Sequence, residues 1–326
     1  MIRWPIFKIA LEKKTMADDH GPESMVKWHK GKDFQLFPTM EQLKKNRGKV
    51  IRECLMRGHA PPKPVIKKTD RVFVAGSCFA RQIALRVQQV EDKWGNFEKN
   101  DLHIFADAFG NAFVMLRYIE WALGRKSITN AETMQLSIYD PKRRPRRGRH
   151  LVKVNLDEKA RESVAKSIGV SDAFVLALGL AELWMDKKAD EVFIRAVNVE
   201  KYDPERHCFK LTNVAENKKC ISDLVAALRS VCPNAPIVLT MTPQRLRATF
   251  GKLGSIGAET LNKAILRVAI DEYMKESADS GVYYWPAYEI VKECWGPAVW
   301  REDGRHLSAK AADEVVGVLK RYYIEG

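Results

Sequence analysis

Cysteine is sparse and scattered: the 326 residues hold six, Cys54, Cys78, Cys208, Cys220, Cys232 and Cys294, with no CxxC spacing among them. That excludes a zinc knuckle and argues against a disulfide framework in a chain of this length, so reduced thiols are expected. The seven histidines form no HExxH or HxH pair, and no metal site is suggested. No apolar run is long enough to span a bilayer, and there is no low-complexity tract or internal repeat. The opening MIRWPIFKIALEKKTMADDHG has neither a continuous apolar core nor a small-residue cleavage site, so it does not read as a secretory signal. A cytoplasmic globular protein is the expectation. A weakly amphipathic stretch over residues 1–12 would suit peripheral contact with the inner membrane surface, but a frayed or docked terminus is the expected reading.

What the chain has in excess is positive charge, a formal net +14. Lys142, Arg143, Arg144, Arg146, Arg147 and Arg149 make one dense block in a loop around 141–150, and residues 44–68 form a second basic zone. Such a field draws anions: cofactor phosphates, acidic polysaccharide, anionic lipid or nucleic acid. A loop that merely aids solubility would have the same composition. Nucleic acid is the weakest of these partners, because no helix-turn-helix, RNA-binding or zinc motif is present and aromatic residues do not interleave with the arginines.

Residues 1–66 read as a basic extension closed by the breaker cluster Ala60-Pro61-Pro62-Lys63-Pro64, ahead of a main domain over 67–326. Val72–Ala75 is a short apolar run that Gly76 ends, and Phe79, Ile83, Val87 and Val90 follow at the spacing of an amphipathic helix. The alternation recurs. Helices are expected over 112–123, 156–167 and 221–228, and strands over 173–178, 236–241 and 281–285. A long helix over 258–276 is expected to turn Leu261, Ala264, Ile265 and Val268 inward. The last helix begins near Ser308, a good N-cap, and buries Ala312, Val315, Val316 and Leu319. This pattern predicts an α/β fold, a doubly wound and mostly parallel sheet flanked by helices on both faces. Sites in such sheets form at the carboxyl ends of strands. Gly76-Ser77, Gly179-Leu180, Thr242-Pro243 and the residues after Trp285 all lie at such ends and should converge.

Ser77 falls just past a strand at a helix start, where unpaired backbone N–H groups can hold an oxyanion. A serine hydroxyl needs a base, and the convincing candidate lies near the other end, in Asp303-Gly304-Arg305-His306-Leu307-Ser308. A histidine there can face the serine while the aspartate fixes its tautomer. Each piece alone has a plainer reading: Ser77 as an N-cap, Asp303 as a capping aspartate beside a surface histidine. Cys78 is an alternative nucleophile, since a helix N-terminus lowers a thiol pKa, but its side chain is expected to turn into the helix–sheet packing.

In chain order these pieces match a known pattern. Gly76-Ser77-Cys78-Phe79-Ala80 is the string for which the GSCFA family is named, and Phe109-Gly110 resembles that family's PFG block. Leu178–Trp184 resembles its LGxAEvW block, Thr242-Pro243 its SPV block, Pro286–Val291 its PsYEiv block, and Asp303–Ser308 its DxRHLs block. The resemblance spans roughly residues 68–322 and extends to the SGNH/GDSL hydrolases. It implies their flavodoxin-like three-layer fold and a triad of Ser77, Asp303 and His306. It implies an oxyanion hole at Ser77, Cys78 and Gly110, with Asn111 either a fourth donor or the cap of the next helix. Gly179, Glu182, Tyr288, Glu289 and Arg305 would border the substrate, or in the case of Glu182, Tyr288 and Glu289 serve the structure. The chain departs from the superfamily where Gly179-Leu180-Ala181-Glu182 replaces a GxND block. Lys263 resembles a recurrent lysine of the family, with a solvated helix face as the default reading.

The activity implied is acyl-ester chemistry on a carbohydrate in bacterial polysaccharide biosynthesis or modification. It would be an esterase if water collects the acyl group and an O-acyltransferase if a sugar hydroxyl does. No cofactor is required. Acetyl-CoA as acyl donor would set its phosphates on Arg143, Arg144, Arg146 and Arg147. The competing class is a non-catalytic protein that uses its basic surface to hold acidic glycan or nucleic acid.

Overall fold

The computed structural model describes residues 37–87, 110–127, 136–139, 151–154, 156–194, 196–197, 199–279 and 281–326. The strands described are β1 (Val72–Gly76), β2 (Leu136–Tyr139), β3 (Leu151–Val154), β4 (Ala173–Leu178), β5 (Glu182–Asp186), β6 (Glu191–Phe193), β7 (His207–Leu211), β8 (Ile237–Met241) and β9 (Val282–Trp285). The α-helices are α1 (Met40–Lys45), α2 (Arg47–Val50), α3 (Cys78–Val87), α4 (Ala112–Ala122), α5 (Glu158–Gly169), α6 (Val214–Arg229), α7 (Ser255–Glu276), α8 (Ala287–Cys294) and α9 (Ala309–Tyr323).

Strands β1, β4, β8 and β9 pair side by side in that order, all parallel, with Val74 beside Val175 and Val175 beside Val238. Their apolar runs are continuous because both faces are covered. Phe73, Ala75, Phe174, Leu176, Leu178 and Leu239 point into one cluster with α4, α5, α6 and α7. Val72, Val74, Val175, Ala177, Val238 and Trp285 point the other way, onto α3, α8 and α9. Period-two alternation thus feeds two cores, and each large side chain removed from water contributes roughly 1.5–3 kcal/mol.

The long helix α7 is rotated from its expected setting. Leu261 and Val268 are exposed, and the inward face is Ala258, Asn262, Lys263, Leu266, Ala269, Ile270 and Tyr273. Apolar spacing alone misplaced it because two polar residues occupy core positions, where they bind the loops at the strand ends. The last helix follows its pattern, with Ser308 accepting the Ala311 N–H at 3.3 Å.

The described part of the N-terminal extension belongs to the same body. Leu43, Val50, Ile51, Met56 and Ile66 are buried in the cluster that holds α9. Val65 and Ile66 donate backbone N–H bonds to the Tyr323 carbonyl at 3.0 and 2.9 Å. Residue 66 is therefore no break in packing.

A separate antiparallel sheet, ordered β6-β5-β7, was not expected. Its strands are short, and they bury Asp186, Glu191 and His207 where a pattern reading requires apolar residues. Arg206 neutralises Asp186 at 2.6 Å, and Arg117 neutralises Glu191. The arginine block at 142–149, Phe109 and Val90 lie outside the described residues; β2 and β3, which flank the block, pair antiparallel. Among the described residues no helix is long and apolar enough to cross a membrane.

Candidate active site

Strand β1 ends on Gly76 because no side chain fits there. Its φ is +152°, and a Cβ would lie 2.5 Å from the Ala177 carbonyl oxygen and 3.0 Å from the Ala80 Cβ. The chain passes directly from sheet to α3, whose first turn begins with the Ala80 N–H donating to the Ser77 carbonyl at 2.8 Å. Ser77 does not cap that helix with its side chain. Its Oγ is buried and has no hydrogen-bond partner among the described residues. A capping hydroxyl accepts a first-turn N–H, so the N-cap reading does not describe this serine. Leaving a buried hydroxyl unpaired costs about 1–3 kcal/mol, and such groups call for a chemical explanation.

The neighbouring cysteine is not where it was expected. Cys78 is half-buried, and its Sγ donates to Gln244 Oε1 in the loop after β8. Phe79 takes the place between helix and sheet instead, stacked on Trp285 with ring centroids 5.8 Å apart.

On the far side, residues 299–308 form a tight reverse turn. Trp300 and Leu307 bridge antiparallel, Arg301 donates to the His306 carbonyl at 2.8 Å, and Ser308 donates to the Val299 carbonyl at 2.8 Å. Gly304, at φ +64°, supplies the left-handed residue that the turn requires. Asp303 Oδ1 accepts the backbone N–H groups of Arg305 and His306 at 2.9 and 3.0 Å, and Oδ2 holds His306 Nδ1. Those two N–H donors, followed by the imidazole, keep the Asp303 carboxyl well below the usual carboxylate range. With Nδ1 committed to the carboxylate, Nε2 is the nitrogen that can receive a proton.

The loop Thr242–Leu246 joins these two sides. Gln244 reaches Cys78, while Arg245 Nη1 donates to the Gly304 carbonyl at 3.1 Å. Arg305 Nε donates back to the carbonyls of Arg245 and Leu246 at 3.2 and 3.3 Å. The Ser77–His306 hydrogen bond itself is not formed; it is their chain neighbours, Cys78 on one side and Gly304 and Arg305 on the other, that bond to this loop.

Beneath the loop lies one face of α7 that sequence reasoning undervalued. Lys263 is 2% exposed, against the expectation of a solvated face. Its Nζ donates to the carbonyls of Gly179 at 2.9 Å and Gln244 at 3.3 Å, with Glu259 Oε1 at 3.6 Å. Burial pushes the Lys263 pKa down, and Glu259 opposes that shift. Asn262 Oδ1 accepts the N–H groups of Ala181 and Glu182 at 2.7 and 3.1 Å, and Glu259 Oε2 accepts the Leu246 N–H at 2.7 Å. The three side chains, at helical spacings of three and one, clamp the ends of β4 and β8. That spacing of polar residues on an otherwise inward face was the available signal.

The remaining expected residues divide. The Gly110 carbonyl accepts the N–H groups of Gly179 at 3.1 Å and Leu180 at 2.9 Å, which brings it to the same sheet edge. A Cβ on Gly179 would meet Thr242 Cγ2 at 2.7 Å, so the two strand ends touch there. Asn111 is the cap of α4: Oδ1 accepts the Val114 N–H at 2.9 Å and Nδ2 donates to the Glu182 carbonyl at 3.3 Å, which engages one of the two hydrogens of the amide. Glu182 is buried and turned inward, accepting from Thr249 at 2.9 Å and Asn262 at 3.0 Å. Glu289 accepts from the Tyr284 hydroxyl at 2.7 Å and from Arg267 at 2.9 Å, in a framework role. Tyr288 and Arg305, with Asp303, line a groove of about 880 Å³ beside the turn; Ser77 and His306 are not among its lining residues.

The chain belongs to the GSCFA family, whose model matches residues 71–318. No curated protein matches the chain in sequence. Among solved structures, it is similar to the salicylyl-acyltransferase SsfX3 from a tetracycline biosynthetic pathway, at 13% identity and a TM-score of 0.29 over 49% of this chain and 40% of that one. It is also similar to the acetyl xylan esterase Est2A from the rumen bacterium Butyrivibrio proteoclasticus, at 18% identity and a TM-score of 0.23 over 46% of this chain and 37% of that one. The chain thus spans less than half the length of either, and the chemistry is left to the site itself.

Proposed function

We propose that the protein carries out serine-dependent acyl-ester chemistry, with Ser77 as nucleophile, His306 as general base and Asp303 as the group that orients the imidazole. The observation that carries this reading is the buried, unpartnered Ser77 Oγ at the carboxyl edge of the sheet, with the Asp303–His306 pair tied into the adjoining loop. Bonds between nucleophile and base are often loose before substrate binds and tighten in the complex. In the reaction, Oγ attacks the ester carbonyl as its proton passes to His306 Nε2. Backbone N–H groups at Cys78 and Gly110 face the developing oxyanion, and the leaving group, an alkoxide from an ester or a thiolate from a thioester donor, takes the proton from Nε2. The acyl-serine is then discharged to water or to a sugar hydroxyl. A carbohydrate acceptor or ester is the substrate in this reading, and acetyl-CoA would be the donor in the transfer mode, with Arg143, Arg144, Arg146 and Arg147 available for its phosphates.

Hydrolysis of p-nitrophenyl acetate tests the assignment. Ser77→Ala should lower the rate at least about a thousandfold while leaving the fold intact. Turnover that survives Ser77→Ala and is lost in Cys78→Ala would reassign the nucleophile to the thiol.

A further inference from the structure

The groove beside the Asp303–His306 turn has a composition that none of the catalytic roles requires. Tyr288, Trp295 and Trp300 give it aromatic walls, and Arg245, Arg247, Lys292 and Arg305 give it positive charge. Two carboxylates also line it, and both are already committed. Asp303 accepts the N–H groups of Arg305 and His306 and holds the imidazole. Glu259 accepts the Leu246 N–H at 2.7 Å and faces Lys263 at 3.6 Å.

The cations differ in how far they are tied. Arg245 lies over the Trp300 ring, 4.4 Å from its centroid, and bonds to Gly304; Arg305 bonds to the Arg245 and Leu246 carbonyls. These two build the wall. Arg247 and Lys292 are exposed. Arg247 has no hydrogen bond or ion pair among the described residues, and Lys292 has an exposed pairing with Glu293 at 3.6 Å and lies over the Tyr288 ring, 5.7 Å from its centroid. Such surface pairs are weak and easily exchanged for a ligand anion. Each ring already carries a cation, Arg47 at 4.8 Å from Trp295 and Lys263 at 5.8 Å from Tyr288 besides Arg245 at Trp300, so a saccharide would pack on the ring surface these leave uncovered. A neutral ligand would leave the groove's charge unused.

We propose that the groove binds an acidic saccharide, with sugar ring faces against the aromatic walls and carboxylate, sulfate or phosphate substituents on Arg247 and Lys292. This names the substrate class of the acyl-ester site and rests on that reading for the bond that reacts, but the binding event stands apart from the chemistry. Direct binding is therefore measured by calorimetry on Ser77→Ala protein, so that turnover plays no part. The probes are a hexagalacturonate, a cellohexaose as the neutral counterpart and a single-stranded oligonucleotide of equal charge.

The acidic hexasaccharide should bind at least about tenfold more tightly than either of the others. The double substitution Arg247→Glu with Lys292→Glu should weaken that binding by about tenfold or more. Equal binding of cellohexaose, binding of the oligonucleotide as tight as that of the acidic sugar, insensitivity to the double substitution, or no binding of the acidic sugar would each overturn the proposal. Should binding occur while p-nitrophenyl acetate turnover in the wild-type chain does not depend on Ser77, the groove stands and the catalytic reading falls.

Discussion

The two sides of the candidate site are built on opposite principles. The serine side is packed without slack: Gly76 has room for no Cβ, and Ser77 Oγ is sealed from solvent at the foot of a buried strand. The base side is a surface turn whose Asp303 and His306 side chains are 45% and 27% exposed, held by short local hydrogen bonds and by stitches from Arg245 and Arg305. In the proposed mechanism the nucleophile is fixed by the core and the base is carried on a turn, so any movement that unites them falls to the turn. The core would resist the reverse. The comparison also separates what each side risks: a side chain added at Gly76 endangers the fold, whereas substitutions at the base side remove chemistry and leave the fold standing.

The largest expected effect is on the base side. His306→Asn and Asp303→Asn should each cut ester turnover by about a thousandfold to ten-thousandfold, with the melting temperature almost unchanged because no core contact is lost. Turnover and thermal unfolding measured on the same preparations check this, and a large loss of stability in either variant would break the contrast.

On the serine side, Gly76→Ala should destabilise by about 3–5 kcal/mol, from overpacking against Ala177 combined with a strained φ. Denaturant unfolding reads this directly. Lys263→Met should follow at about 2–4 kcal/mol, since it leaves the Gly179 and Gln244 carbonyls and the Glu259 carboxylate without their buried partner. An unchanged midpoint for Lys263→Met would mean that α7 is not the clamp beneath the loop.

The smallest effect is in the pH dependence. Asp303 has a lowered carboxyl pKa in the fold, so its contribution is fully present above the ordinary carboxylate range and fades only as pH falls through its depressed value. The turn therefore stays latched under mildly acidic conditions. The Asp303 carboxyl should accordingly add nothing to the acidic limb of kcat/KM under mildly acidic conditions; a limb of slope two there would show the carboxyl titrating.

Much of this was legible beforehand. The runs Val72–Ala75 and Ala173–Leu178 gave their strands because both faces are apolar, and Ser77 with Asp303-Gly304-Arg305-His306 marked the two halves of the candidate site. What stayed hidden was polar residues doing core work. Asn262 and Lys263 rotate α7 away from its apolar pattern, and Asp186, Glu191 and His207 disguise the short strands of the second sheet. Their partners lie far away in the chain, so no local spacing reveals them. Glu182 matched the family pattern, yet that match could not tell a substrate contact from a hydrogen bond between loops.

The most direct test is peptide mapping after treatment with a fluorophosphonate probe, in the wild-type chain and in His306→Asn. The account predicts one adduct, on Ser77, whose formation slows at least about a hundredfold when the imidazole is removed. An adduct on Cys78 or at another serine, or labelling of Ser77 indifferent to His306, would contradict it.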